Sequence, residues 1–227
     1  MPKIKFEYNL EKDKWNILRV INDPPINDPD DLERPLGNLS RDFVLKVKAS
    51  ANLGQKAKIT LDFLEHQNKS QKEFISQQLK NFSLNWEKIN NEYFKRLENI
   101  LKINLNIDTI YSAYLTNAGS CPFNANQQWF MVRIQDETVN TVVAHEILHI
   151  EFIRNYGLFC RDVLKLSPKD FSTFQEASTI LLNEEMSDLL SKPDYGYKEH
   201  QSLRGKLSTE WLKSKDFNVL LDYFKNL

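Results

Sequence analysis

The spacing of hydrophobic residues changes several times along the chain, and each change predicts a different element. Near the N-terminus the hydrophobic residues alternate with polar ones at Ile4, Phe6, Tyr8 and Leu10, and then at Trp15 and Ile17. A period of two is typical of strands with one buried face, so we expect a β-hairpin here. Residues 22–36 then contain four of the eight prolines among Asp and Asn residues, which predicts a linker.

The next two segments differ in their hydrophobic spacing. Residues 40–66 contain the alternating stretches FVLKVKAS and KITLDFL, which favour paired strands, while the intervening ANLGQKA could close a hairpin or interrupt a helix. From Ser70 to Lys102 the spacing becomes three to four residues. This pattern predicts two helices with a break near Ser83.

The second half of the chain alternates between strand and helix patterns. TIYSAYLTN (109–117) and WFMVRIQ (129–135) are rich in aromatic and β-branched residues, which predicts two strands joined by the loop AGSCPFNANQ. A buried helix should follow, with Asp136 as its N-cap and Gly157 as its stop. Another should begin at the N-cap Ser167 and end before Pro193, and residues 206–225 should form at least one more.

Together these elements predict an α+β protein, in which a small sheet packs on the buried helix and the C-terminal part is mainly helical. The expected organisation has three parts: a hairpin and Pro/Asp-rich linker over 1–36, a strand and helical region over 37–102, and a third region over 103–227. The second and third regions could also form one continuous domain.

Charge and composition exclude several classes of protein. With 30 Lys and Arg against 31 Asp and Glu, the net charge is −1, so nothing favours nucleic acid or an anionic membrane as a partner. The N-terminus lacks the apolar core of a signal peptide, and no run of 18 apolar residues occurs. We therefore expect a cytoplasmic protein with two free cysteines, Cys121 and Cys160.

The candidate chemistry lies in the most apolar stretch, VNTVVAHEILHIEFIRNY (139–156), which carries the motif HExxH. Residues four apart lie on one helix face, so His145 and His149 can converge on one zinc ion. Glu146 is turned about 100° from His145, where it can act as general base on a water molecule. The alternative is that both histidines are ordinary core residues with hydrogen-bond partners. It would have to explain why three polar side chains are buried together on one helix.

A catalytic zinc needs a third protein ligand. The candidates after His149 are Glu151, Glu176, Glu184, Glu185, Asp188, Asp194, Glu199 and His200. On the helix that begins at Ser167, Glu184 and Asp188 share the core-facing side, whereas Glu185 is turned towards solvent. We therefore expect Glu184 to be the third ligand and Asp188 to accept a hydrogen bond from a ligand histidine.

HEILH followed by NEEMSD (183–188) resembles the thermolysin-type gluzincin metallopeptidases, whose second motif is NExxSD. The resemblance covers about residues 110–190, and it implies a zincin-like catalytic domain within 103–227. It also implies that His145, His149 and Glu184 bind zinc, that Glu146 is the base, and that Asp188 and Asn183 surround the ligands. The 35-residue interval from His149 to Glu184 is longer than is usual, which indicates an inserted loop.

Two further roles have several candidates. Tyr195, Tyr197 or His200 could donate a hydrogen bond to the developing oxyanion, although an ordinary surface turn is the simpler explanation of these residues. The stretch NANQQW resembles the family's edge strand only loosely, which suggests that Asn124, Ala125 and Trp129 bind substrate, but an ordinary hairpin loop is the simpler explanation.

The favoured hypothesis is a zinc metallopeptidase with one zinc ion per chain and a peptide or protein substrate. A second hypothesis is a non-catalytic zincin-like module that binds a partner protein, and a third is an α+β interaction protein with a coincidental motif. The intact Glu146 favours the first hypothesis over the second, because a binding module needs no base beside its metal.

Overall fold

The protein is an α+β structure with a four-stranded mixed sheet, seen here in a computed structural model that describes residues 1–22 and 36–227. The strands are β1 (Lys3–Tyr8), β2 (Ile110–Thr116), β3 (Phe123–Asn124) and β4 (Trp129–Arg133). The sheet order is β1-β2-β4-β3; β1, β2 and β4 are parallel, and β3 is antiparallel to β4 at one edge. Phe6, Ala113 and Phe130 lie side by side on the core face.

Helices make up most of the remaining described chain. They are α1 (Leu10–Asn22), α2 (Arg41–Lys48), α3 (Leu53–Ser70), α4 (Lys72–Glu87), α5 (Asn90–Leu101), α6 (Val139–Asp162), α7 (Pro168–Ser178), α8 (Ile180–Met186), α9 (Gln201–Ser214) and α10 (Phe217–Lys225). None of these described helices is long and apolar enough to cross a membrane.

The N-terminal hairpin prediction is wrong in its second half. Residues 3–8 form β1, but the chain then turns into α1 and β1 pairs in parallel with β2. A parallel neighbour cannot be reached through a tight hairpin turn. Trp15, which completed the alternating pattern, is 45% exposed, whereas Asp13 and Asn16 of α1 are buried.

Those two polar residues attach α1 to the loop after β2. Asp13 accepts hydrogen bonds from the hydroxyl of Thr116 at 2.7 Å and from the side chain of Asn117 at 2.8 Å. Asn16 donates to the backbone oxygen of Ser120 at 2.8 Å. Each buried polar group therefore has a partner, which is the condition for burying it at low cost.

The predicted strand pairing over 40–66 is also wrong, because this segment forms α2 and α3. The side chains of Ser40 and Asn52 accept hydrogen bonds from the backbone amides of Phe43 and Gln55, so both helices are capped at their N-termini. Val44 and Val47 of α2 pack with α1 and α3 in a small second core. The alternating apolar positions were compatible with both structures, and capping and packing favoured the helix.

The linker predicted over 22–36 lies outside the described residues except at its two ends, and the three-part division of the chain stays a prediction. Beyond it, Gly37 has a φ of +62°, and an added Cβ would lie 2.4 Å from the backbone nitrogen of Gly119. Only glycine fits this contact, which brings the segment before α2 against the loop after β2.

The two helices predicted over 70–102 are confirmed as α4 and α5, with the break at residues 88–89 rather than near Ser83. The strands predicted at 109–117 and 129–135 are confirmed as β2 and β4. The short edge strand β3 lies within the loop predicted between them.

Helix α6 belongs to the main core, where it contacts β3, β4, α4, α5 and α7. The predicted ends of this helix are wrong. Thr138 is the N-cap, while Asp136 orders the preceding turn by accepting from the amide and hydroxyl of Thr138. The helix also continues past Gly157, because the next turn buries Cys160 in the core.

The helix predicted from Ser167 to Pro193 begins as expected, since Ser167 caps α7 by accepting from the amide of Asp170 at 3.1 Å. It does not continue as one helix. The helix is interrupted at Thr179, between α7 and α8, and α8 ends at Met186. The helices predicted over 206–225 are confirmed as α9 and α10.

Candidate metal centre

The two histidines of the HExxH motif converge on one side of α6. The rings of His145 and His149 are 4.3 Å apart at an interplanar angle of 78°. His149 is 2% exposed and Glu146 is 8% exposed. A spacing of four residues on a helix produces this arrangement directly.

The carboxylate that meets the two imidazoles belongs to Glu176 of α7. One of its oxygens lies 3.8 Å from Nε2 of His145, and the other lies 3.5 Å from Nε2 of His149. One ligand atom from each of the three residues falls within 4.8 Å of the others. Two neutral imidazole nitrogens and one carboxylate oxygen form a ligand set that zinc takes in hydrolytic sites.

The expected third ligand, Glu184, is not part of this cluster. Its Oε1 accepts a hydrogen bond from the hydroxyl of Ser208 on α9 at 2.7 Å. The expectation assumed one continuous helix from Ser167, whereas the structure has two helices, of which α7 packs on α6 and α8 packs on α9 and α5. Glu185 is also engaged elsewhere, because it accepts from the indole nitrogen of Trp211 at 2.6 Å.

The carboxylate that contacts a histidine of the motif is Asp194, not Asp188 as expected. Oδ2 of Asp194 lies 2.6 Å from Nδ1 of His145. Asp188 instead forms a two-pronged exposed ion pair with Arg96, at 2.6 and 3.0 Å. Because an ionised carboxylate can only accept, Nδ1 of His145 carries the proton and Nε2 remains free to bind a cation.

Asn183, expected to lie around the ligands, does so indirectly. Its side-chain oxygen accepts from the backbone nitrogen of Asp194 at 2.7 Å, and its side-chain nitrogen donates to the backbone oxygen of Asp194 at 2.8 Å. Asn183 therefore fixes the backbone of the residue that orients His145.

Buried polar atoms without partners concentrate in this cluster. Among the described residues, both ring nitrogens of His149, Oε2 of Glu146 and Oε2 of Glu176 are buried and form no hydrogen bond. Such atoms are costly in a folded core. Four of them in one place fit a site that receives a cation and a water molecule.

The charges in the cluster shift the pKa of its members. Burial lowers the pKa of His145, but Asp194, Glu146 and Glu176 together outweigh it and raise the pKa to about 9. Burial acts to raise the pKa of Asp194, but His145 and Arg204 outweigh it and the pKa falls to about 2. Asp194 thereby stabilises the proton on Nδ1 of His145, and a cation bound at Nε2 would take the place of a second ring proton.

The general-base candidate has a pKa close to neutrality. Burial raises the pKa of Glu146 to about 8, helped by the charges of Glu176 and Asp194 and opposed by His145. A group with a pKa in this range can both accept and return a proton near neutral pH. For His149, burial and the charge of His145 lower the pKa, which favours the neutral imidazole that a metal requires.

The three candidates for an oxyanion donor differ in position. The charge of His200 is one of those that lower the pKa of Glu176 against the effect of burial, after His149 and His145. The short turn Lys198–His200 also packs on α7, so His200 lies near Glu176. The ring of Tyr197 is 6.1 Å from that of His200. Tyr195 is 72% exposed.

The candidate substrate-binding residues are used in a turn and in packing. Oδ1 of Asn124 accepts from the backbone nitrogen of Gln127 at 2.9 Å, which closes the turn after β3. Ala125 is buried. Trp129 packs with Trp15 of α1 at 6.0 Å and lies 4.0 Å beneath Nζ of Lys12. These contacts agree with the hairpin-loop alternative.

The edge strand itself lies beside the cluster. The ring of Phe123 in β3 is 5.6 Å from that of His149. Within the described residues β3 pairs only with β4, so its other edge offers backbone donors and acceptors next to the two histidines.

No protein family, curated protein or solved structure matches this chain.

Sequence reasoning listed Glu176 and Asp194 among the candidates but favoured other residues, and it missed Arg204. One sequence signal exists for Arg204. It lies three residues before Leu207 and seven before Trp211, which places it on the apolar face of α9. A charged residue on such a face needs a buried partner, and the structure supplies Asp194.

Proposed function

We propose that this protein is a metal-dependent hydrolase of the HExxH type, and more specifically a zinc-dependent peptidase. The observation that carries the proposal is the cluster of His145, His149 and Glu176, whose ligand atoms lie within 4.8 Å of one another. The buried, unpartnered Nε2 of His149 adds to it, because a cation would satisfy this nitrogen.

In this proposal His145, His149 and Glu176 hold zinc, which when bound supplies Lewis acidity towards water and the scissile carbonyl. Glu146 removes a proton from the attacking water and delivers it to the leaving amine. Asp194 keeps His145 in the tautomer that presents Nε2.

A peptide is the preferred substrate class because of the edge strand. An extended peptide can pair with the free edge of β3 and so run past His149. His200, on the Glu176 side, is the best placed of the three candidates to donate a hydrogen bond to the carbonyl oxygen as negative charge develops there.

The resemblance to thermolysin-type enzymes supports this proposal through HEILH alone. The NEEMSD motif contributes Asn183 to the surroundings of His145, while Glu184 and Asp188 are bonded to Ser208 and Arg96. In the proposed site, the carboxylate ligand Glu176 and the orienting carboxylate Asp194 therefore both lie outside NEEMSD.

The test combines metal content with hydrolysis. We expect about one zinc ion per chain and cleavage of peptides in a mixed library at neutral pH, with loss of cleavage on chelation. Glu146→Gln should keep the zinc and lower the turnover about 10²- to 10⁴-fold, because it removes only the base. Full hydrolysis by Glu146→Gln would overturn the mechanism.

The non-catalytic module remains the alternative outcome of the same experiment. Stoichiometric zinc without cleavage of any library peptide by the wild-type chain would favour it. Absence of zinc would favour the interaction protein with a coincidental motif.

A further inference from the structure

Arg204 of α9 is a charged residue in the protein interior. It is 2% exposed and lies on the same face as the buried Leu207 and Trp211. Burying a guanidinium group is costly unless its charge is paired and its donors are satisfied. The residues that Arg204 contacts therefore indicate which part of the structure the buried charge stabilises.

The contacts of Arg204 all go to the segment that builds the candidate metal centre. Nη2 donates to Oδ1 of Asp194 at 3.0 Å and to its backbone oxygen at 2.5 Å. Nη1 donates to the hydroxyl of Thr179 at 2.5 Å and lies 3.5 Å from the backbone oxygen of Glu176. One planar group thus holds the C-terminal turn of α7 and the loop at residue 194 together.

Thr179 closes this arrangement. It is fully buried, and its hydroxyl lies 2.9 Å from the backbone oxygen of Glu176 and 3.0 Å from Oδ1 of Asp194. Since the hydroxyl accepts from Arg204, its own proton remains available for either oxygen. The polar groups at the break between α7 and α8 are therefore bonded to a side chain of another helix, Arg204 of α9.

Gly196 shows that the backbone is fitted to the guanidinium group. Its φ is +59°, and an added Cβ would lie 2.7 Å from Nη1 and 2.9 Å from the central carbon of Arg204. A side chain at this position would displace the guanidinium or the loop. The turn after Asp194 passes directly over Arg204 because residue 196 has no side chain.

From these contacts we infer that Arg204 is a positioning residue of the candidate metal centre. It touches none of the ligand atoms. It fixes Asp194, which orients the ring of His145, and it fixes the backbone of Glu176, which supplies the carboxylate ligand. This inference rests on the proposed metal site, and it adds that zinc affinity depends on a residue of α9 outside the ligand shell.

The alternative is that Arg204 contributes to folding only. Zinc affinity per folded molecule separates the two roles, because a loss of stability alone leaves the affinity of the folded protein unchanged. The experiment therefore measures the zinc dissociation constant of the full chain by competition with a chromophoric chelator. Urea unfolding of each metal-free variant gives its folded fraction.

The test variant is Arg204→Met, which keeps most of the side-chain volume and removes the donors. The matched control is Leu207→Ala, a fully buried residue one turn further along α9 that lies outside the contacts with Asp194 and Glu176. We expect Arg204→Met to weaken zinc binding about 10- to 100-fold, as for the loss of an outer partner of a ligand. Leu207→Ala should lower the urea midpoint and leave the dissociation constant of the folded protein unchanged.

Gly196→Ala provides a second variant if Arg204→Met does not fold. It keeps the charge and displaces the guanidinium group, so it should also weaken zinc binding. Unchanged zinc affinity in the folded fraction of either variant would overturn the positioning role. If the wild-type chain binds no zinc, the proposed metal site fails and this inference fails with it. Only the positioning role fails if the wild type binds zinc, His149→Ala abolishes that binding, and Arg204→Met leaves it unchanged.

Discussion

Oδ2 of Asp194 lies 2.6 Å from Nδ1 of His145, although the two residues are 49 positions apart in the sequence. This hydrogen bond fixes the ring that presents its other nitrogen to Glu176, at 3.8 Å. Asp194 is also held by Arg204 and by Asn183. The candidate metal centre therefore depends on residues from α6, α7, α8, α9 and the loop before α9.

Asp194→Asn should weaken the zinc binding of the folded protein about 10- to 100-fold. The amide cannot hold the His145 ring as strongly as the carboxylate, because it lacks the negative charge. Competition with a chelator gives the dissociation constant. Asp188→Asn is the matched control, since Asp188 is exposed and bonded to Arg96. An equal loss of affinity in both variants would contradict the role given to Asp194.

Glu176→Gln should lower zinc affinity more than Glu184→Gln does. Glu176 lies 3.5 Å from Nε2 of His149, whereas Glu184 is bonded to Ser208. Removing a ligand should cost more than the 10- to 100-fold typical of an outer partner. Zinc content after dialysis, measured by elemental analysis, compares the two variants. The assignment of the third ligand would be reversed if Glu184→Gln alone lost zinc.

His200→Ala should lower the turnover of peptide hydrolysis about 10²- to 10³-fold, the effect of losing one oxyanion donor. Zinc content should not change, because the three ligand residues remain. Tyr195→Phe is the control and should retain activity, since Tyr195 is 72% exposed. Steady-state kinetics on a peptide that the wild type cleaves provides the measurement, and an unchanged turnover in His200→Ala would remove His200 from the mechanism.

The stability contributed by Asp13 should fall as the pH rises. Burial raises the pKa of Asp13 above its ordinary value of 3.8, and hydrogen bonds from Thr116, Asn117 and Tyr8 offset this only in part. The folded state therefore binds this proton more tightly than the unfolded state does. The contribution is fully present below pH 3.8 and is lost as the pH rises through the raised pKa of the folded state.

The difference in unfolding free energy between the wild type and Asp13→Asn should accordingly decrease from pH 4 upwards, by at most about 1.4 kcal/mol per pH unit. Urea unfolding at several pH values measures this difference. Asp222→Asn, on the exposed side of α10, measures the effect of removing a surface carboxylate. A difference that grows with pH would show that the sign is wrong.

Phe152→Ala should cost about 3–5 kcal/mol of unfolding free energy, as is typical for a large buried ring. Phe152 is 1% exposed, and its ring packs on those of Phe171 and Phe174 of α7 at 5.2 and 5.5 Å. Urea unfolding compares it with Phe74→Ala, whose ring is 37% exposed and should cost less. A loss below about 1 kcal/mol would contradict the central place of Phe152 in the core.

Local signals predicted the parts of the structure that depend on neighbouring residues. His145, Glu146 and His149 lie together because the helix itself sets their spacing. Ser167 and Pro168 fix the start of α7 through capping and the preset φ of proline. The strands β2 and β4 followed from their aromatic and β-branched residues. The alternation of hydrophobic and polar residues over 40–66 wrongly predicted strands, because capping by Ser40 and Asn52 stabilises helices there.

The identity of the other residues in the site was decided by the tertiary structure. Helix α7 packs on α6, whereas α8 packs on α9 and α5, so extrapolating one helix face from Ser167 led to Glu184 and Asp188. The candidate site uses Glu176 of α7 and Asp194, which follows α8. The HExxH face of α6 followed from the spacing of its residues alone. Which carboxylates meet that face depended on how the later segments pack against α6, because only tertiary contacts bring Glu176 and Asp194 to the histidines and a buried arginine of α9 to Thr179 and Asp194.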